Sequence, residues 1–248
     1  MESNKSNINT FIKFSEKDIF HGLKVLLSPL LNIMVDIKHE GVENIPKKGG
    51  RIIIGNHRSD MDPFIIASIV PYYISWIAAE YTKRIPVFET LIQNTGVIPM
   101  DINGNITVSS IKKVMTVLKK GEILGIFPEG HDYIVQNDFS APMATFHEGF
   151  AIFAFRAKVP IIPFAIIPIE EEISAIPLPP SIRQMIGLPE EIIKIPLRAQ
   201  YKKVKVIFSQ PIFPEEFIKL KEEEAISYIT KKSRNIIETI QRNEGMII

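Results

Sequence analysis

Arg51-Ile52-Ile53-Ile54-Gly55-Asn56-His57-Arg58-Ser59-Asp60-Met61-Asp62-Pro63 is the stretch on which the fold turns. Three consecutive isoleucines closed by a glycine have the form of a short strand buried on both faces. Asp62-Pro63 has the form of a helix start, with a capping carboxylate followed by proline at the first helical position. Asn56 to Met61 then form a loop from a strand end to a helix, the connection from which α/β folds are built.

The rest of the chain repeats that alternation. Strands are expected at Ile74–Ala79, Gly96–Met100, Ile123–Phe127, Ile161–Ile167 and Val204–Phe208. Helices are expected at Pro63–Ile69, Pro86–Asn94, Val108–Lys119 and Glu148–Ala157. Pro214 begins a final helix towards Arg242, interrupted near Lys221, with a solvent-facing Glu/Lys-rich side. The expected fold class is therefore α/β, a single domain with a mostly parallel or mixed sheet flanked by helices, preceded by an N-terminal amphipathic helical segment. Residues 1–36 are read as polar tail plus that helix, and 37–248 as the domain.

Two residues of the loop carry chemistry. A histidine can take a proton from an attacking hydroxyl at neutral pH, and a carboxylate beside it can fix its tautomer and stabilise the imidazolium. Five residues along one helix turn through roughly 500°, leaving side chains about 140° apart. His57 and Asp62 can therefore meet only if His57 precedes the helix and Asp62 reaches back from its start. No Gly-x-Ser-x-Gly elbow is present and cysteine is absent, so no protein nucleophile is signposted. The attacking hydroxyl is expected to come from a substrate, which makes this pair an acyl-transfer site without an acyl-enzyme.

The order of motifs resembles the glycerophospholipid acyltransferase family, whose best-known members are the 1-acylglycerol-3-phosphate acyltransferases. The carrying fragments are Glu40-Gly41-Val42-Glu43-Asn44-Ile45-Pro46, Asn56-His57-Arg58-Ser59-Asp60-Met61-Asp62-Pro63, Gly96-Val97-Ile98-Pro99-Met100-Asp101, Phe127-Pro128-Glu129-Gly130 and Val159-Pro160-Ile161-Ile162-Pro163. The resemblance implies His57 as general base and Asp62 as its partner. It places Glu129 and Gly130 along the acceptor site, with Pro160 shaping the pocket base. It also implies a thioester donor, acyl-coenzyme A or acyl carrier protein, with no bound cofactor and no metal.

This sequence departs from the family where an acceptor phosphate would bind. The family commonly follows its Phe-Pro-Glu-Gly with Thr and Arg, whereas His131 and Asp132 stand here. Ile102 occupies the place of an arginine after Asp101. Two guanidinium groups and their bidentate phosphate contacts are thereby lost. Either Arg58, Lys83 or Arg84 supplies the charge from a neighbouring loop, or the acceptor is a less acidic lysolipid that hydrogen-bonds to His131.

Two other readings stand beside acyl transfer. His57, Asp60, Asp62, Glu129, His131 and Asp132 contain enough N and O ligands for a metal-dependent hydrolase. A catalytically degenerate scaffold that binds lipid is the non-enzyme reading.

Composition narrows the setting. A length of 248 residues with 46% hydrophobic content suffices for one enzyme-sized core. A net charge of +1 and a pI near 7.9 provide no basic field, so nucleic acid is not an expected partner. The lack of cysteine fits a reducing cytosolic setting or a hot one, and the polar start Met1–Asn7 does not read as leading into a signal sequence.

Val25 to Val35 is short of the roughly 20 apolar residues that cross a bilayer, and Pro71 splits the longer uncharged run from Pro63 to Ala79 into helix and strand. Ile19, Phe20, Leu23, Leu26, Leu27, Leu30, Leu31 and Met34 recur at three- and four-residue steps and make one apolar face, to be packed on the sheet or laid in a membrane. The Pro-rich stretch Ile176–Leu197 is a second apolar excursion. The expected location is the cytoplasmic face of a membrane, peripheral or monotopic, with acyl thioester and lysolipid as substrates.

Overall fold

A computed structural model describes residues 14–79, 94–100, 107–130, 142–175 and 197–246. Seven strands form one sheet in the order β1-β7-β6-β2-β5-β3-β4. They are β1 (Asp36–Glu40), β2 (Arg51–Gly55), β3 (Ile74–Ala79), β4 (Ile98–Met100), β5 (Ile123–Ile126), β6 (Ile161–Ala175) and β7 (Leu197–Phe208). Only β6 and β7 pair antiparallel; the other neighbours are parallel. The described helices are α1 (Glu16–Met34), α2 (Asp62–Ile69), α3 (Val108–Lys119), α4 (Gly149–Ala157) and α5 (Glu222–Asn243). The α/β class with a mixed sheet is thus the observed one.

The isoleucine run explains the two-sided core. Side chains alternate across a strand, so Ile52 and Ile54 enter one apolar cluster and Ile53 the other. The first cluster also holds Val114 and Leu118 of α3, Phe150 and Ala154 of α4, and Ile229 and Ile237 of α5. The second holds Leu31 of α1 with Ile65 and Ile66 of α2. In α5 the stripe Ala225, Ile229, Ser233, Ile237 and Gln241 is buried at steps of four, with acidic Glu222, Glu223 and Glu224 at its positive N-terminal end.

Two glycines let rings cross the sheet ends next to the loops that matter. A Cβ on Gly55 would lie 2.1 Å from the Phe164 ring, and one on Gly125 would lie 2.5 Å from the Trp76 ring.

Several boundaries differ from the sequence expectation. β4 begins at Ile98 because Gly96 turns the chain with φ 74°. Phe127 leaves β5 after Ile126. β6 runs on to Ala175 and β7 begins at Leu197, so a long antiparallel arm flanks the Pro-rich excursion. β1, Asp36-Ile37-Lys38-His39-Glu40, was not expected; it is a charged edge strand with little burial to mark it. Pro63–Ile69 and Ile74–Ala79 do form helix and strand around Pro71. Most of the expected Pro86–Asn94 helix, and residues 176–196 of the excursion, lie outside the described residues.

The apolar face of α1 divides. Phe20 and Leu31 are buried against the domain, whereas Leu26, Leu30 and Met34 are exposed together with Val25 and Ile33. At about 100° per residue these five span one outward side of the helix. The Lys24 ammonium points inward instead, donating to the Val70 carbonyl at 2.5 Å.

Candidate active site

β2 delivers the loop and Asn56 fixes how it leaves the sheet. The Asn56 side chain accepts from the Ile166 N–H at 2.7 Å and donates to the Ile166 carbonyl at 3.0 Å, imitating one more residue of strand pairing. His57 is thereby held at the carboxyl end of a central strand, where α/β folds gather their sites.

His57 Nδ1 lies 2.8 Å from Asp62 Oδ2. The same oxygen accepts from the backbone N–H of Arg58 at 2.7 Å and of Ser59 at 2.9 Å. Asp62 Oδ1 accepts from the Tyr201 hydroxyl at 2.8 Å. Asp62 is fully buried, and these four contacts satisfy both of its carboxylate oxygens there. Asp62 is the first residue of α2 and Met61 its N-cap, so its side chain organises the preceding loop instead of capping the helix.

The His57 ring is fixed from a second side. It stacks on Phe127 with centroids 4.2 Å apart and planes 17° apart, and Phe127 stacks in turn on Trp76 at 5.0 Å and 3°. Trp76 is the single tryptophan of the chain. With Nδ1 turned to the carboxylate, the tautomer carries its proton there and Nε2 is the basic nitrogen.

Glu129 ties two loops together. Its Oε1 accepts from the His57 N–H at 2.8 Å and its Oε2 from the Ala144 N–H at 2.8 Å. Burial pushes its carboxyl above the usual glutamate range, against the pull of those two donors, His57 and Arg234. Gly130 has φ 64° and donates its N–H to the Phe127 carbonyl, so that amide closes the turn. Behind this turn Arg234 of α5 donates to the carbonyls of Ala144 and Met143 at 2.7 and 2.9 Å.

Arg58 is drawn to the β6–β7 arm. Its Nε lies 2.9 Å from Glu171 Oε2, and its Nη2 also pairs with that carboxylate. Glu171 opposes Tyr201 across the antiparallel pair, so both side chains stand on one face and grip the same loop. Register shifts between Pro168 and Glu171 mark an irregularity just before this point. The Ser59 hydroxyl donates to the Ala199 carbonyl at 2.6 Å, a third tie to the arm.

His57, Asp62, Arg58, Glu129 and Gly130 are therefore brought together. Lys83, Arg84 and His131 lie outside the described residues, as does Asp132. Among the described residues no group of three or more His, Asp or Glu is placed to hold a metal ion. Sequence reasoning missed Tyr201, Glu171 and Trp76. Of these only Trp76 had a signal, as a lone large aromatic in a strand at the same sheet end.

Comparisons with known proteins give the chain a family and relatives. Residues 36–167, just over half the chain, match the Acyltransferase family. A 1-acyl-sn-glycerol-3-phosphate acyltransferase of Borreliella burgdorferi is 38% identical over 93 residues, 36% of this chain and 36% of that protein. The Bacillus subtilis enzyme of the same name is 29% identical over 146 residues, 58% of this chain and 67% of that protein. The matched stretch thus spans between about a third and two thirds of those relatives. The crystal structure of the 1-acyl-sn-glycerophosphate acyltransferase PlsC from Thermotoga maritima shares the fold, with a TM-score of 0.60 and 21% identity over 91% of this chain and 80% of that one. The matched span holds His57, Asp62 and Glu129, and the chain belongs to the Acyltransferase family.

Proposed function

We propose that this chain moves a fatty acyl group from a thioester, acyl-coenzyme A or acyl carrier protein, to a lysolipid hydroxyl, with 1-acyl-sn-glycerol-3-phosphate the foremost acceptor. The observation that carries the reading is the 2.8 Å contact between His57 Nδ1 and Asp62 within the family's matched span. In the reaction Nε2 of His57 takes the proton of the acceptor hydroxyl as its oxygen attacks the thioester carbonyl. The C–S bond then breaks, and the proton passes from the imidazolium to the departing thiolate. The names of the relatives support the acceptor.

Arg58, Lys83, Arg84 and His131 are the proposed contacts to the acceptor headgroup, and Glu129 and Gly130 hold the turn beside it. For Arg58 to meet a phosphate, Glu171 must release it or share it. The outward face of α1, with Val25, Leu26, Leu30, Ile33 and Met34 exposed, supports a peripheral seat on a membrane. No described helix is long and apolar enough to cross one. A lysolipid would then be presented from the bilayer surface.

The test is to incubate the purified chain with acyl-coenzyme A or acyl carrier protein donors and lysophosphatidate, a lysophospholipid with a masked phosphate, or a glycolipid. Products are read by mass spectrometry, with and without a chelator. A diacyl product that survives chelation is expected. Free fatty acid in place of a diacyl product, lost on chelation, would favour the metal-dependent hydrolase, and binding without product would favour the lipid-binding scaffold.

A further inference from the structure

We propose that Tyr201 is a positioning residue for the His57–Asp62 pair, setting through its hydrogen bond how strongly Asp62 holds the imidazolium. Tyr201 lies on β7, beyond the family's matched residues 36–167, and is 139 positions from Asp62. It is buried, and its hydroxyl donates to Asp62 Oδ1 at 2.8 Å while Oδ2 faces His57. Burial raises its phenol well above the usual tyrosine range, and the Asp62 charge adds to that, so it remains a donor throughout the working range. The inference rests on the proposed role of His57 as base.

The physical consequence follows from charge sharing. Asp62 carries one negative charge and divides it among two backbone N–H groups, the Tyr201 hydroxyl and the imidazole. Each donor satisfied at one oxygen weakens the other as an acceptor. Without the hydroxyl, more of the charge bears on His57 and the protonated ring is favoured.

Other charged or titratable groups around the pair are Arg58 and Asp60 on its own loop and Glu171 on β6. Glu129 follows β5, with Arg234 of α5 near it and His147 beside Gly130. Arg58 and Glu171 pair with each other, so they do not replace a lost donor on Oδ1.

Tyr201→Phe removes the oxygen and keeps the ring. The acidic limb of the kcat/KM profile should move to higher pH by about 0.5 to 1 unit, part of the strength of a hydrogen bond to a charged group. In the same variant, without substrates, the downfield proton resonance of His57 Nδ1–H should move further downfield. A folded variant in which limb and resonance both stay in place overturns the proposal. Absence of acyl transfer in the unmodified protein would instead count against the proposed reaction, and the resonance would still decide Tyr201. Should Tyr201→Phe fail to fold, 3-fluorotyrosine at position 201 provides a stronger donor and should shift the resonance upfield; an unmoved resonance again overturns the role.

Discussion

Asp62 Oδ2 approaches His57 Nδ1 to 2.8 Å while accepting the N–H groups of Arg58 and Ser59, so one oxygen both orients the ring and folds the loop that carries it. Asp62→Asn should therefore be compound in effect. Its amide can present its oxygen to the loop and the ring together, which turns the NH2 group on the Tyr201 hydroxyl, or its oxygen to Tyr201, which turns the NH2 group on the loop and the ring. Acyl transfer should fall on the order of 10²-fold or more, with a stability loss of about 1–3 kcal/mol. Steady-state kinetics and denaturant unfolding on one preparation measure both, and a rate within tenfold of normal would remove Asp62 from the mechanism.

Glu129 holds His57 from the opposite loop, one oxygen on the His57 N–H and the other on Ala144. Glu129→Ala leaves both buried donors unmet and should cost about 1–3 kcal/mol or more, while Glu129→Gln keeps one acceptor and should fall between. Urea midpoints of the three proteins should rank in that order. Equal midpoints would mean that the carboxylate acts only on substrate.

The fold and half of the site were legible locally. The Ile-Ile-Ile-Gly run, the Asp-Pro helix start and Val108–Lys119 are short-range patterns, and each became the element expected. Tyr201 and Glu171 were hidden because their relation to the loop depends on the register of an antiparallel arm. The run Glu170-Glu171-Glu172 has no apolar alternation to announce a strand, so Arg58 read as a substrate cation without a visible partner. β1 was hidden for the same reason. In α1 the periodicity was visible, but whether Phe20 or Ile33 faced the sheet depended on where the domain lay.

The outward side of α1 makes a separable prediction. Leu26→Asp with Ile33→Asp should reduce sedimentation with phospholipid vesicles by tenfold or more, since each such side chain contributes about 1.5–3 kcal/mol when taken from water. Thermal stability should be unchanged, because Leu26 and Ile33 are 71% and 84% exposed. Undiminished vesicle binding would move the membrane contact elsewhere.

A pH effect is expected far from the site. Burial opposes ionisation of Glu216, but hydrogen bonds from Lys232, Tyr228 and the Phe213 N–H outweigh it and hold its carboxyl below the usual range. A lowered carboxyl pKa adds stability above the unfolded value and loses it as pH falls through the folded one. Glu216→Gln should therefore cost up to about 1 kcal/mol near pH 7, discounted for partial exposure, and progressively less as the pH falls below the usual glutamate value of 4.5 towards the lowered folded one. Urea unfolding at pH 7 and pH 3 checks it; an equal cost at both would mean packing, not charge.

The central claim is that the His57 imidazole draws the proton from a lipid hydroxyl. Its most direct test is the initial rate of acyl transfer to lysophosphatidate by His57→Ala, beside unmodified protein with the same circular dichroism. A loss on the order of 10²- to 10⁴-fold is predicted; a folded His57→Ala protein with full activity would contradict it.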